Sequence, residues 1–345
     1  MLKPFLSRLA TGADLTRREA GCAMDIIMEG QTDDAQIAAF AMALRVKGET
    51  ADEIAGCAAS LRRRGETIAV GRSLAARIVD TCGTGGDGLG TFNVSTVSAL
   101  VATGAGLPVA KHGNRSVSSR CGSADLLEAL GVSVHLGPEE ALACLERTGI
   151  VFLFAPRYHK AMRHAVAARR SIGTRTIFNL LGPLCNPAGA RRQVIGVFVS
   201  EAMLPMGRVL RASGAKRALL VHGHDGMDEL TVTGLTMAIE LRDGRLARRT
   251  FRPESAGLRR WPLAALRGGD PAANARIARQ VLEGRKGAAR DIVLLNAGAA
   301  LWIGAAARTL REGVAQAADA IDRGLAAATL ERLAHAGTMA KEGGS

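Results

Sequence analysis

The chain has 345 residues, a formal net charge of +13 and 48% hydrophobic residues, with aromatic residues at only 3%. This length predicts about two domains, and the hydrophobic content is sufficient for a buried core. No run approaches the roughly 18 apolar residues of a membrane span, and the start MLKPFLSRLA lacks the apolar stretch of a signal peptide. We therefore expect a cytoplasmic protein with no membrane partner.

The cysteines are dispersed and form no C-x-x-C pair. Such spacing predicts free thiols in a reducing compartment, not a disulfide framework or a structural zinc site. The six cysteines are Cys22, Cys57, Cys82, Cys121, Cys144 and Cys185.

The positive charge raises the question of a nucleic-acid partner. The basic residues are spread along the chain, however, and the densest runs are only Arg62-Arg63-Arg64 and Arg259-Arg260. Few aromatic rings are available to stack on bases. We interpret most of the charge as solvated surface, so a nucleic-acid partner is the less favoured alternative.

The first part of the chain, residues 1–70, predicts helices only. Thr16 and Glu19 have the spacing of a capping box, as do Thr50 and Glu53, and an amphipathic run follows each pair. Three short helices cannot enclose much of a core. We expect a small all-helical N-terminal domain that packs on another part of the chain.

The remainder, residues 76–338, predicts a larger α/β domain. Short β-type runs alternate with helices, which favours a mainly parallel central sheet flanked by helices, with ligands at the carboxyl ends of its strands. Helical sequence at 157–190 interrupts the alternation, and we expect the helices of about 160–190 to join the N-terminal domain. The β-type runs are RIVD, PVAKHG, VSVHL, IVFLFAP, QVIGVFVS, RALLVHG, LTVTG and MAIELRDGRL.

A glycine-rich loop, DTCGTGGDGLGTFNVST, begins at the end of the first predicted strand. Gly83, Gly85 and Gly88 match G-x-G-x-x-G, but a dinucleotide site also needs an acidic residue about 20 positions later. No Asp or Glu stands between Asp87 and Asp125, and no G-K-[ST] completes a Walker A loop. A loop with few side chains before a helix start is typical of sites that bind phosphate oxygens through backbone N–H groups.

A second loop, KHGNRSVSSR, follows the next predicted strand, from Lys111 to Arg120. It offers three fixed cations, one amide and three serine hydroxyls, which are donors suited to an anion rich in acceptor oxygens. Two consecutive loops of this kind, with no acid between them, indicate a site for a phosphate-rich anion.

A bound pyrophosphate would require a divalent cation, and Mg²⁺ prefers one or two carboxylates together with water and phosphate oxygens. Asp228 and Glu229 follow the strand RALLVHG and are candidates for this role. His222 and His224 could ligate a transition metal. A loop with two histidines and no third ligand is more often structural, so zinc is the less favoured alternative.

Together these stretches resemble the anthranilate phosphoribosyltransferase family, which belongs to the nucleoside phosphorylase and phosphoribosyltransferase class with a helical N-terminal domain. The resemblance runs from the N-terminal helices to the IDRG sequence near the end of the chain. It is carried by GTGGDG, TFNVST, VAKHGNRSVSSRCGSADLLEALG, FAPRYHKAMRHAVAARRSIGTRTIFNLLGPLCNPA and HGHDGMDELT.

The resemblance implies a site for phosphoribosyl pyrophosphate (PRPP) between two walls. The first wall comprises Gly83, Gly86, Asp87, Thr91, Asn93, Val94, Ser95 and Thr96. The second comprises Lys111, His112, Gly113, Asn114, Arg115, Ser116, Val117, Ser118 and Ser119, with Ser123 completing it.

The resemblance also implies Mg²⁺ and an aromatic acceptor. Two Mg²⁺ ions are expected, and their implied ligands are Ser95, Asp228 and Glu229. Ser95 and Glu229 are expected to bind the same ion, the one that also contacts the pyrophosphate. Anthranilate is expected to contact Gly83, Asn114 and Arg169, and Arg169 would bind its carboxylate.

The implied reaction transfers the phosphoribosyl group of PRPP to the amine of anthranilate, in tryptophan biosynthesis. Positive charge develops on the sugar and negative charge on the leaving pyrophosphate, so catalysis requires charge stabilisation and alignment. Lys111 and Arg115 are the candidate catalytic residues. Because the aromatic amine is uncharged and weakly basic, no strong general base is needed.

In the family the helical domain forms a homodimer interface, and we expect the same here. Two alternatives stay open. A pyrimidine nucleoside phosphorylase would share the architecture but would not need the acid pair at 228–229. A nucleic-acid-binding relative of the fold would show eroded substrate motifs, whereas both anion loops are intact in this sequence.

Overall fold

The computed structural model of the protein describes residues 1–115 and 120–342. Within these ranges, no helix combines the length and the apolar composition needed to cross a membrane.

The N-terminal part folds into four helices. Both predicted capping boxes are present: the Thr16 N–H donates to Glu19 at 2.8 Å, and the Thr50 N–H donates to Glu53 at 2.8 Å. These side chains satisfy backbone groups that a helix start otherwise leaves unpaired. The helices are α1 (Lys3–Ala10), α2 (Arg17–Met28), α3 (Asp34–Lys47) and α4 (Ala51–Arg64).

A seven-stranded sheet organises the second part of the described chain, with the strand order β3-β2-β1-β4-β5-β6-β7. The first five strands are parallel, whereas β6 and β7 form an antiparallel hairpin at one edge. The strands are β1 (Val79–Gly83), β2 (Val109–Gly113), β3 (Ile150–Phe154), β4 (Arg192–Gly196), β5 (Arg217–Gly223), β6 (Thr236–Arg242) and β7 (Arg245–Phe251). The predicted fold class is confirmed.

Two of the predicted β-type runs, VSVHL and LTVTG, form no strand. In VSVHL, Val132, Val134 and Leu136 are buried while the residues between them are not. The alternation therefore reports which side chains pack against the core, but the backbone of this run pairs with no described strand.

Helices cover both faces of the sheet. They are α5 (Arg72–Ala75), α6 (Val94–Gly104), α7 (Ser123–Ala129), α8 (Pro138–Thr148), α9 (Ala155–Tyr158), α10 (Val166–Ile172), α11 (Ile177–Leu181), α12 (Met203–Ala212), α13 (Pro271–Leu282), α14 (Ala288–Ile303), α15 (Leu310–Asp322) and α16 (Leu325–Glu342). One core, on the side of α6 and α13 to α16, includes Val79, Leu100 and Leu295.

The second core joins the N-terminal helices to the opposite face of the sheet. Phe40 and Ile54 belong to it, together with Phe178 of α11 and Leu220 of β5. The Cys185 thiol, at the end of the α9–α11 segment, donates to the Ala58 carbonyl at 3.6 Å. The α9–α11 segment therefore packs against the N-terminal helices and helps to anchor them to the sheet.

Helices α2 and α4 approach each other so closely that a glycine is required at their crossing. A Cβ atom at Gly56 would lie 2.2 Å from the Arg17 carbonyl oxygen and 2.8 Å from the Gly21 nitrogen. Both are backbone atoms, so side-chain rotation cannot relieve the overlap.

Gly56→Ala is therefore expected to lower the free energy of unfolding by about 1–3 kcal/mol, since overpacking forces the helices apart. Urea denaturation followed by circular dichroism measures this loss. Gly71→Ala is the matched control, because Gly71 has a negative φ and no atom within 4 Å of its added Cβ. Equal stabilities of the two variants would contradict the close crossing.

Candidate functional site

The site lies where β1 meets its two neighbours. From β1 the chain passes to β2 and β3 on one side, and then crosses to β4 on the other. Such a switch in strand order opens a crevice at the carboxyl ends of parallel strands, where ligands bind. The glycine loop starts there, and Gly85 and Gly86 have φ values of 67° and 88°, which a residue with a side chain rarely adopts.

The predicted metal ligands are brought to this point by the loop after β5. The Ser95 N–H, in the first turn of α6, donates to Glu229 Oε1 at 3.0 Å. A Cβ at Gly83 would lie 3.2 Å from Asp228 Oδ2. Asn93, the residue before α6, provides no side-chain cap, so Glu229 supplies an anion at this helix start from another part of the chain.

The acids at this point repel one another. Burial, followed by the Asp87 carboxylate, raises the pKa of Asp228 to about 7. Burial, followed by Asp228, raises the pKa of Glu229 to about 8, although Lys111 and the Ser95 N–H oppose this. Crowded carboxylates of this kind favour the binding of a cation or a proton.

The donors suit Mg²⁺ better than a transition metal. Asp228, Glu229 and the Ser95 hydroxyl are hard oxygen ligands, which Mg²⁺ prefers. Among the described residues, no group of three or more His, Cys, Asp or Glu side chains could hold a metal ion. His222 instead bonds through Nδ1 to the Val197 carbonyl, and His224 is exposed.

Lys111 extends from β2 toward the start of α6. Its side chain is buried, and its ammonium group donates to the Thr81 carbonyl and, at 3.2 Å, to the Ser95 hydroxyl. The Lys111 ammonium group therefore lies beside Ser95. Burial lowers the pKa of Lys111, and the nearby acids, among them Glu229 and Asp228, oppose this change.

The second anion loop is only partly described, since the predicted residues Ser116, Val117, Ser118 and Ser119 lie outside the described ranges. Asn114 is exposed, and its carbonyl accepts a bond from the Ser123 hydroxyl at 3.0 Å.

The charge of Arg115 is balanced by two ion pairs in this structure. Its guanidinium pairs with Asp125 at 2.9 Å and with Glu128 at 2.6 Å, both on α7, and lies 5.6 Å from the centre of the Phe154 ring. The two acids stand 10 and 13 positions further along the chain, so no local spacing rule indicates this pairing.

The other predicted residues of the first wall differ in what they offer. Val94 and Thr96 are buried, and their N–H groups bond to the carbonyls of Phe92 and Asn93, so they offer a ligand little in this structure. Asn93 bonds to the Cys121 carbonyl and to Asn274, and Thr91 pairs with Arg267 in an isolated bridge.

Arg169 is half-buried on α10, and its guanidinium lies 5.8 Å from the centre of the Phe178 ring. Nearby, Arg175 was missed by the sequence reasoning. Its Nε donates to the Gly86 carbonyl at 3.3 Å, and a Cβ at Gly86 would overlap its guanidinium. Arg175 stands in the same TRTIFN stretch that carried the resemblance, but no spacing rule links it to a loop about 90 residues earlier.

A surface cavity of about 280 Å³ lies behind the glycine loop. Phe92, Arg267 and residues 285–290 line it, so it is separate from the point where Lys111 and Glu229 meet Ser95.

His112 is buried behind the site. Its Nδ1 bonds to the Gly182 carbonyl at 3.0 Å, and its ring packs edge-on against His159 at 5.1 Å between ring centres. Its Nε2 has no hydrogen-bond partner in the described part of the chain. Burial, followed by the charge of a protonated His159, lowers the pKa of His112 to about 3.

Two family models match the chain. The helical bundle domain of a glycosyl transferase family matches residues 3–65, and the a/b domain of a glycosyl transferase family matches residues 75–327. Fold and sequence thus define a glycosyltransferase with a helical bundle and an α/β domain.

Individual relatives narrow this class. The chain is 53% identical to an anthranilate phosphoribosyltransferase of Anaeromyxobacter sp. (strain K), over 98% of this chain and 99% of that protein. It is 52% identical to the anthranilate phosphoribosyltransferase of Moorella thermoacetica, over 96% of this chain and 97% of that protein.

Solved structures agree. The Thermus thermophilus anthranilate phosphoribosyltransferase superposes with a TM-score of 0.89 at 43% identity, covering 96% of this chain and 98% of that one. The Saccharomyces cerevisiae enzyme in complex with PRPP and Mg superposes with a TM-score of 0.89 at 27% identity, covering 98% of each chain. The chain belongs to the anthranilate phosphoribosyltransferases of the glycosyl transferase family, as its motifs predicted.

The buried His112 makes stability depend on pH. Its pKa is lower in the folded state than the value of about 6.5 expected when unfolded, so below that value the unfolded chain binds the proton first. Acidification from pH 7 to pH 5 should therefore cost about 2 kcal/mol of unfolding free energy through this residue.

On acidification from pH 7 to pH 5, we expect the unfolding free energy of His112→Asn to fall by about 2 kcal/mol less than that of the wild type. Urea denaturation at both pH values measures the difference. His224→Asn, which changes an exposed histidine, should keep the wild-type dependence. The assignment fails if His112→Asn also keeps it.

Proposed function

We propose that this chain transfers the phosphoribosyl group of PRPP to the amine of anthranilate, giving N-(5-phosphoribosyl)anthranilate and pyrophosphate in tryptophan biosynthesis. The observation that carries the proposal is the meeting of the glycine loop, the start of α6, Lys111 and Glu229 at the carboxyl end of β1. The relatives support it, since yeast anthranilate phosphoribosyltransferase has been solved with PRPP and Mg and with 4-fluoroanthranilate.

PRPP is proposed to lie along the glycine loop, with its pyrophosphate toward the start of α6. The glycine loop brings backbone N–H groups close to a ligand, and the partial positive charge of the helix start also suits phosphate oxygens, although the Ser95 N–H is bonded to Glu229 in this structure. The described part of the second loop adds Lys111 and Asn114 from the β2 side. The full wall also includes residues 116–119, which remain a prediction from the motif.

Two Mg²⁺ ions are proposed to bind here, with Asp228, Glu229 and the Ser95 hydroxyl as their ligands. Mg²⁺ would offset the charge of the acids and of the pyrophosphate, which would make pyrophosphate a better leaving group. The raised pKa values of the two carboxyls support this placement, because a cation relieves the same repulsion that now favours a proton.

The chain's own residues are proposed to stabilise charge and align the reactants. Lys111 would face the negative charge that grows on the pyrophosphate, and Arg115 would assist once it exchanges its bonds to α7 for the substrate. Arg169, Asn114 and Gly83 are proposed to contact anthranilate, with Arg169 on its carboxylate. The weakly basic amine attacks without a strong general base.

The activity test is incubation with PRPP, Mg²⁺ and anthranilate while anthranilate fluorescence is followed. The proposal expects a fluorescence loss that requires both PRPP and Mg²⁺. Fluorescence that stays constant, with phosphate-dependent cleavage of a pyrimidine nucleoside in a parallel assay, would instead support the nucleoside phosphorylase alternative.

The acid pair is tested by Asp228→Asn combined with Glu229→Gln. We expect kcat/KM for PRPP to fall on the order of 100-fold or more, because the variant loses the charges that hold Mg²⁺. The matched control is Glu139→Gln with Glu140→Gln, an adjacent pair of exposed acids on α8. A folded Asp228/Glu229 variant whose response to Mg²⁺ is unchanged would refute the metal assignment.

We also propose a homodimer through the helices of the N-terminal part. A mass of twice the 35.9 kDa chain mass is expected from light scattering at micromolar concentration. A monomeric mass under these conditions would count against it.

A further inference from the structure

Strands β1 and β2 separate as they approach the site. Within the described residues, β1 pairs with β2 at a single position, Val79 with Val109. On its other side, β1 pairs with β4 over five positions, as far as Gly83 with Gly196. The gap between β1 and β2 therefore opens toward the carboxyl ends, beside the glycine loop.

Side chains occupy this gap and bond to backbone groups that face it. Lys111 donates to the Thr81 carbonyl, and the Asn186 amide donates to the Ala110 carbonyl at 2.8 Å. The Asp80 carboxylate accepts the His112 N–H at 3.1 Å. Buried backbone groups need such partners, so these bonds replace those of a continued β-ladder.

Asp80 is the unusual member of this set, because it is a carboxylate with no exposed surface. Its Oδ2 has no hydrogen-bond partner in the described ranges. Burying an ionised carboxylate is costly unless a nearby opposite charge compensates. An amide could accept the same N–H bond, so the backbone contact alone gives no reason for a charge at this position.

The nearby cation is Lys111, and hydrogen bonds tie the two residues to each other's neighbours. The Lys111 ammonium group bonds to the carbonyl of Thr81, and the Asp80 carboxylate accepts the N–H of His112. Burial raises the pKa of Asp80 and lowers the pKa of Lys111, and the charge of each opposes this change in the other. The carboxylate of Asp80 thus attracts the Lys111 ammonium group from the side of β1, whereas Glu229 and Asp228 attract it from the loop after β5.

We propose that Asp80 is a positioning residue for PRPP binding. It fixes the spacing of β1 and β2 through the His112 N–H, and it holds the Lys111 ammonium group in place behind Ser95. This inference rests on the proposed function, which assigns Lys111 and Ser95 to PRPP. A merely structural role for Asp80 would change stability without changing the affinity of the folded protein for PRPP.

The test is a double-mutant cycle on the affinity for PRPP with Mg²⁺, measured by titration calorimetry, which needs no anthranilate. The variants are Asp80→Asn, Lys111→Met and the double variant. Asp80→Asn preserves the shape and an acceptor for the His112 N–H, removes the charge and replaces the other oxygen by an amide nitrogen. We expect it to raise the Kd for PRPP about tenfold in the wild-type background and less than about twofold in the Lys111→Met background.

The control is Thr148→Val, which removes a buried hydroxyl that bonds to the Ile150 carbonyl at 2.7 Å, at the start of β3. It should lower stability without changing the Kd for PRPP. If Asp80→Asn does not fold, Asp80→Glu is measured in the same cycle. It keeps the charge but displaces it by one methylene group, so it should bind PRPP more weakly only when Lys111 is present.

The outcomes separate the two proposals. A wild-type protein that does not bind PRPP overturns the proposed function and this inference with it. A wild type that binds PRPP, with Asp80 variants that bind equally well, overturns this inference alone. Equal fold-changes in both Lys111 backgrounds also overturn it, because Asp80 would then act independently of Lys111.

Discussion

The end of β4 has to be a glycine, and the candidate site depends on this constraint. A Cβ at Gly196 would lie 1.6 Å from the Asp228 carbonyl oxygen and 3.3 Å from the Asp228 Cβ. With any other residue at 196, the loop after β5 would have to move away from β1. Glu229 would then lose the Ser95 N–H, and the acids would no longer face the glycine loop.

The close approach also determines the electrostatics. Acids from the β5 loop, a lysine from β2 and the helix start after β1 meet within a small, half-buried volume. Because the volume is shielded from water, removing one of these charges would leave its neighbour without a partner of opposite sign, which costs free energy. Burial and mutual repulsion raise the pKa of both acids, so an added positive charge at this point would relieve the repulsion.

Much of the architecture could be predicted because local chemistry determines it. Thr16 and Thr50 mark their helix starts through contacts three residues away, and the alternation of β-type runs and helices predicts a parallel sheet. The absence of an acid after Asp87 correctly argued against a dinucleotide fold, as the family shows.

Contacts between distant segments could not be predicted. The ion pairs of Arg115 with Asp125 and Glu128 of helix α7 could not be inferred from their spacing in the sequence. Arg175, which lies between α10 and α11, bonds to the Gly86 carbonyl across a large separation in the sequence. The alternation in VSVHL indicated burial correctly and strand pairing incorrectly, because side-chain periodicity carries no information about available backbone partners.

Arginines of the β6–β7 hairpin, at the edge of the sheet, contribute to the net charge of +13. Strand β7 is the last in the sheet order, so one side of its backbone has no partner strand among the described residues. Its sequence, RLARRTF, exposes Arg245, Arg248 and Arg249, of which Arg249 pairs with Glu240 at 2.8 Å. A second copy that approached this open edge would bring two rows of arginines together, and their repulsion opposes the growth of the sheet from molecule to molecule. The same charge that suggested a nucleic-acid partner thus opposes edge-to-edge pairing between sheets.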